Sequence, residues 1–190
     1  MRKYILIIAL LCFSAHVSNA QLWKNEIYVD YSQITIPQSA YILGGVFGTV
    51  FSLGHFSFEN TCMTGTLSVG YNRNAAEWFG YGGQILAEYI TSDTFTTDSD
   101  GNKTYNGKYN MCLVSFMPTL KFIWFEYTKI RMYSKVGIGP GISFGNDLQI
   151  IPSFQVSPVC ADFGAGKYKG IVELGGGMQG CVTVGIKRIF

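Results

Sequence analysis

The sequence predicts an all-β fold, an eight-stranded antiparallel up-and-down transmembrane β-barrel. Three observations lead there. Large apolar residues alternate with Gly, Ser, Thr or single charges along most of the chain, and period two is the mark of a strand. Charge is scarce, at 14% of residues against roughly 25% in an average globular chain. The alternation falls into eight stretches, an even number and the smallest size of membrane barrel. Low charge with 15% aromatic residues excludes a disordered chain. No Gly triplet or heptad repeat suggests collagen or a coiled coil.

Residues 1–20 read as an export signal. Met1-Arg2-Lys3 is basic, Tyr4 to Phe13 is apolar, and Ser18-Asn19-Ala20 ends a small, polar region. That order fits a signal peptide cleaved near Ala20, which leaves 21–190 as one barrel domain. The apolar run is too short to span a bilayer as a helix. Without Arg2 and Lys3 the charge falls from +2 to neutral. No basic excess is left to argue for nucleic acid as a partner.

The strands follow in order. In the first, Ile27, Val29 and Tyr31 oppose Glu26, Tyr28, Asp30 and Ser32. Leu67, Val69 and Tyr71 oppose Thr66, Ser68, Gly70 and Asn72. Phe79, Tyr81, Ile85, Ala87 and Tyr89 oppose Gly80, Gly82, Gln84 and Glu88. Cys112, Val114, Phe116, Leu120, Phe122 and Trp124 oppose Ser115, Thr119 and Lys121. Met132, Val136, Ile138, Ile142 and Phe144 oppose Lys135, Gly137, Gly139, Gly141 and Ser143. Phe154, Val156, Pro158 and Cys160 oppose Ser153, Gln155 and Ser157. Val172 and Leu174 oppose Glu173 and Gly175. Val182, Val184 and Ile186 oppose Thr183, Gly185 and Lys187. A soluble sandwich would carry many charges on its polar face. Here that face is mostly small, which suits a narrow interior filled by side chains, and the apolar face is then the lipid face.

The connections alternate in length as barrels require. The long ones are expected at 34–60 and 96–107, and a short one at Asn74 to Glu77. In the first, Ile42, Leu43, Val46, Phe47, Val50 and Phe51 recur at helical spacing. They predict a short amphipathic helix over about 39–53, with Ser39 as its N-cap, at the barrel mouth. Pro118 and Pro158 lie inside strands, where a missing N–H predicts bulges. Trp23, Tyr71, Trp78, Phe79 and Trp124 gather at one predicted rim, with Phe125, Phe163 and Phe190, as an interfacial girdle does.

These residues resemble a known family. Thr64 to Tyr71, Trp78 to Gly83, Met117 to Phe122, Tyr133 to Gly137, Phe154 to Pro158, Val172 to Gly175 and Gly180 to Phe190 are similar to the small Gram-negative outer-membrane barrels. The likeness is to the OmpA/OmpX-like eight-stranded group, and within it to a Bacteroidetes-type porin-like branch. The resemblance implies an outer-membrane location in lipid and a monomer. It also implies that the barrel-insertion machinery reads Phe190, with Val182, Val184 and Ile186 at the alternate apolar positions. Arg188 stands where that family has an aromatic residue, and its guanidinium would snorkel to the interface.

Inward parity places Asp30, Glu88, Lys121, Lys135, Glu173 and Lys187 in the lumen. Buried charges are costly unless paired, so a paired network closing the lumen is expected. Gly137, Gly139, Gly141 and Gly175 are expected to make room for its Lys and Glu side chains. The function this supports is a structural or surface-interaction role. A narrow porin-like channel for ions or small solutes is the alternative, and a lipid-modifying barrel enzyme a third. His55 is the one histidine after residue 20, a thin basis for acid–base chemistry, so neither catalysis nor a cofactor is expected. Cys62, Cys112, Cys160 and Cys181 lack a CxxC pair, which argues against zinc and leaves their disulfide state open. By parity Cys112 and Cys160 face lipid. Asp98-Ser-Asp-Gly-Asn102 lacks the downstream Glu of a calcium loop and reads as a turn, so no metal is expected.

Overall fold

The computed structural model describes residues 25–51, 56–98, 102–127, 129–145 and 148–190. The predicted signal peptide, Trp23 and His55 lie outside them. The element order is β1 (Asn25–Gln33), α1 (Ile36–Phe51), β2 (Phe56–Asn74), β3 (Phe79–Thr97), β4 (Lys103–Tyr127), β5 (Ile130–Phe144), β6 (Leu148–Phe163), β7 (Tyr168–Gly177) and β8 (Val182–Ile189). Each strand pairs antiparallel with the next, and β8 closes on β1. Asn25 and Phe190 exchange backbone hydrogen bonds of 2.9 Å at the closure. The predicted all-β class is observed, eight antiparallel up-and-down strands closed in a ring with one short helix after the first.

Alternation decides what fills the ring. In β1 every second residue, Glu26 through Ser32, is buried, while Ile27, Val29 and Tyr31 point outward. The inside of this protein is therefore largely polar and its outside largely apolar. An apolar cluster of Leu86, Leu113, Met117 and Met178 lies within the ring, with Ile151 against it. Met178 is not on a strand. The β7–β8 connection folds inward there, with the Met178 amide bonded to the Phe154 carbonyl (2.8 Å) and the Gln179 amide to Gln155 Oε1 (3.0 Å).

The two ends differ. The chain passes α1 at one end, the helix end, and Trp78 and Trp124 mark the other, the Trp end. At the helix end β2, β3 and β4 continue past their neighbours. β1 joins β2 only from Thr66 downward, and β5 joins β4 only from Cys112 downward. Above those residues β2–β4 form a three-stranded wing. The connection expected at 96–107 is mostly strand, because the β3–β4 ladder runs on to Thr97↔Lys103. Thr96, Thr97 and Thr104 are ladder positions, Asn106 falls at a register shift, and of the expected turn residues Asp98 and Asn102 lie just past the strand ends. Likewise β2 begins at Phe56, inside the connection expected over 34–60.

The helix starts at Ile36, earlier than expected, and Thr35, not Ser39, caps it. The Gln38 amide donates to Thr35 Oγ1 (3.1 Å), and Gln38 Oε1 accepts from the Thr35 amide (3.4 Å) and the Ile34 amide (3.0 Å). This is a capping box, Thr35-x-x-Gln38, which satisfies two otherwise orphaned donors. Ile34, with φ at +62°, turns the chain from strand into helix through a conformation that β-branched residues avoid.

The proline expectation holds at one site and fails at the other. Around Pro158 both ladders shift register, between Tyr133 and Lys135 on one side and between Val156 and Val159 on the other. At Pro118 the β3 ladder continues unshifted through Gly83↔Pro118, and the β5 register is the same on either side of it. The Pro158 bulge reverses parity, so Val159 points outward and Cys160 is fully buried. Cys160 therefore packs inside with Ile123 and Tyr133, contrary to the lipid-facing position that strict alternation assigns it.

Candidate functional site

All six predicted lumen charges, Asp30, Glu88, Lys121, Lys135, Glu173 and Lys187, are buried. They do not form one network. Toward the Trp end, Glu26 on β1 is the hub. Its carboxylate accepts from Lys121 Nζ of β4 (2.8 Å), Lys187 Nζ of β8 (3.1 Å) and Arg131 Nη1 of β5 (2.6 Å). Asn74 Nδ2 adds a fourth bond at 2.9 Å. Asp162 on β6 pairs with Lys187 and lies 4.0 Å from Lys121. Arg131 Nη2 also reaches Glu126 at 2.5 Å. One carboxylate thus ties β1 to its neighbours β2 and β8 and, across the ring, to β4 and β5.

The second group lies at mid-barrel. Lys135 Nζ pairs with Glu173 Oε2 at 2.6 Å and donates to Gln84 Oε1 (3.3 Å), which also accepts from the Tyr28 hydroxyl (2.9 Å). Tyr133 separates the two groups. Its hydroxyl donates to Glu173 (3.3 Å), and Lys121 and Lys187 lie 4.1 and 5.4 Å from its ring centroid, within cation–π range.

Asp30 and Glu88 make no ion pair among the described residues. Asp30 accepts from Ser68 and from Gln179 Nε2 (3.1 Å). Glu88 accepts from the capping residue Thr35 (2.7 Å), which joins the helix start to the interior. The expected glycines do not make room for Lys or Glu. A side chain at Gly139 or Gly175 would strike the backbone of the neighbouring strand, and one at Gly141 the hydroxyls of Ser115 and Ser153. The glycine that houses a large interior group is Gly70, against which the buried Tyr28 ring lies.

Sequence reasoning missed Glu26, Arg131, Asp162 and Lys169 as interior charges, and it missed the inward loop at Met178 and Gln179. Glu26 had the right parity. Arg131 and Asp162 fall just beyond the strand ends drawn at 132 and 160. Five acids and five bases are buried among the described residues, so the buried charges balance.

Of the predicted girdle, Tyr71, Trp78 and Trp124 are exposed at the Trp end. Phe79 packs between Trp78 and Phe122, with ring centroids 5.4 and 5.7 Å away. Val182, Val184, Ile186 and Phe190 all point outward. The four cysteines Cys62, Cys112, Cys160 and Cys181 are free thiols.

Each charge group binds strands that are distant in sequence, and the apolar cluster of Leu86, Leu113, Met117 and Met178 lies inside the same ring. No protein-family model and no curated protein matches the chain.

Proposed function

We propose that the chain is an integral outer-membrane β-barrel of a Gram-negative cell, with a structural or surface-interaction role and a lumen closed by its own side chains. One observation carries the reading, the inversion of polarity. Lys121, Lys135 and Lys187 are at most 2% exposed inside, while Ile138 and Ile150 are 72% and 74% exposed outside. In water that outer face would be an apolar patch far beyond the few hundred Å² of a soluble monomer. Lipid removes the penalty, and a closed ring leaves no spanning backbone group unpaired.

Two further features support it. Exposed Tyr71, Trp78 and Trp124 at one rim suit a membrane interface. β4 has 25 residues, against about 9–11 that cross a bilayer. The surplus of β2–β4 is the wing at the helix end. Its two edges, unpaired with any strand among the described residues, offer backbone groups to a partner, which favours surface interaction over transport.

The test is depth-resolved quenching by brominated lipids. The full chain, with Trp124 as the sole tryptophan, is refolded into phosphatidylcholine vesicles. Quenching greatest for bromines near the headgroups is expected. Fluorescence indifferent to bromine at every depth, from a chain that stays folded without lipid, would refute the reading.

A further inference from the structure

Below the Glu26 hub, at the Trp end, lies a cavity of about 570 Å³ lined by Glu126, Tyr127, Arg131, Lys167, Lys169 and Ile189. Its rim is built. The Gly164 amide bonds to the Lys129 carbonyl (3.0 Å), and the Ile189 amide bonds to the Lys167 carbonyl (2.7 Å). Backbone bonds thus hold the β4–β5 and β6–β7 connections and the end of β8 together around it.

The walls carry three cations and one carboxylate, and that carboxylate, Glu126, already bonds Arg131. Among the described residues neither Lys167 nor Lys169 forms an ion pair. Arg131 is 2% exposed, and its Nε finds no acceptor among those residues. Lys169 is nearly buried and stands opposite Lys187 in the β7–β8 register, one cation facing another. Lys187 is satisfied by Glu26 and Asp162, whereas Lys169 is left with a hole in front of it. A positive, partly desolvated hollow of this kind attracts an anion. A guanidinium with an orphan N–H, lining one cavity with two lysines, matches an oxyanion with several acceptor oxygens and a charge between one and two.

We propose that this vestibule binds a phosphate group, presented by a phospholipid headgroup or as free phosphate. Arg131 and Lys169 form its floor and Lys167 its rim. The proposal stands on the cavity alone and does not require the membrane reading.

The experiment titrates the refolded full chain in zwitterionic detergent with dihexanoyl phosphatidic acid and, separately, with inorganic phosphate. Binding is followed by calorimetry in the wild type, Lys169→Gln and Lys167→Gln. Folding of each is checked by gel migration without boiling. Saturable binding of either probe is expected, about tenfold weaker in each variant, the scale of one charge-assisted hydrogen bond, and weaker still with added salt. Phosphatidic acid alone binding identifies a lipid headgroup as the source, and both binding alike identifies free phosphate. Failure of both probes to bind would overturn the proposal, as would unchanged affinity in the variants. Lys167 lies on the connection outside the strands, so Lys167→Gln decides the matter even if Lys169→Gln does not fold.

Discussion

Lys121 and Lys135 are direct partners across the β4–β5 ladder, yet their ammonium groups go to different acids. Lys121 reaches Glu26 at 2.8 Å and Lys135 reaches Glu173 at 2.6 Å. Like charges opposite each other on one face repel. Here the repulsion is relieved by sending each cation to a different strand, Lys121 to β1 and Lys135 to β7. The pair that would weaken a flat sheet instead helps to tie a ring, since each bond is formed only when distant strands are in place.

The hub should therefore be the most sensitive position in the interior. Glu26→Gln leaves Lys121, Arg131 and Lys187 around a neutral amide. A loss of about 3–5 kcal/mol is expected, the usual cost of stranding buried charge. Asp30→Asn removes a carboxylate that makes no ion pair among the described residues and should cost nearer 1 kcal/mol. Urea unfolding of the two variants from detergent micelles checks the order, and equal midpoints would contradict it.

The Pro158 bulge makes a prediction about cysteine. Cys160 is buried inside and Cys62 is exposed on the wing. A variant retaining only Cys160 should resist both water-soluble and membrane-permeant maleimides until unfolded, while one retaining only Cys62 should react at once. Rapid labelling of Cys160 by the permeant reagent alone would restore strict alternation and remove the bulge.

Strand count, order and part of the inward set were legible in the sequence, because period-two alternation survives wherever a ladder is regular. Asp30, Glu88, Lys121, Lys135, Glu173 and Lys187 all followed from parity. Arg131 did not, since it lies one residue before the first clear alternation of its strand, and Asp162 did not, since it follows the Pro158 bulge, which reverses parity. Cys160 was misplaced because one bulge reverses every later side chain. Thr35 and Gln38 were readable as a capping box, but the apolar spacing farther along drew the helix start to Ser39. The inward fold of Met178 and Gln179 depends on contacts with Phe154, Gln155 and Asp30 from elsewhere in the ring, which no local pattern encodes.

The cap itself is testable. Thr35→Ala removes the acceptor for the Gln38 amide and the donor to Glu88. A loss of about 1 kcal/mol is expected for the cap, with faster hydrogen exchange at the Gln38 amide. Thr35→Ser should restore both. Exchange unchanged in Thr35→Ala would show that the helix start does not depend on this box.

Ile34 offers the opposite sign. Its left-handed backbone costs an L-residue about 1–2 kcal/mol, and glycine gives back about 0.5–1 kcal/mol in unfolded-chain entropy. Ile34→Gly should therefore raise stability, by up to about 1 kcal/mol in urea unfolding. A clear loss instead would mean that the exposed Ile34 side chain contributes more than its strained backbone costs.

Planar-bilayer recording tests most directly the proposal that the interior is a lock and not a conduit. The full refolded chain is inserted beside a Lys135→Ala variant, with insertion confirmed by the faster gel migration of unboiled samples. The proposal predicts a silent bilayer for the wild type, with the Leu86–Met178 cluster and the Glu26 and Glu173 groups as the side chains that would block the ring. Steady unitary openings of the wild type, altered in size or ion preference by Lys135→Ala, would contradict it and make the lumen a path.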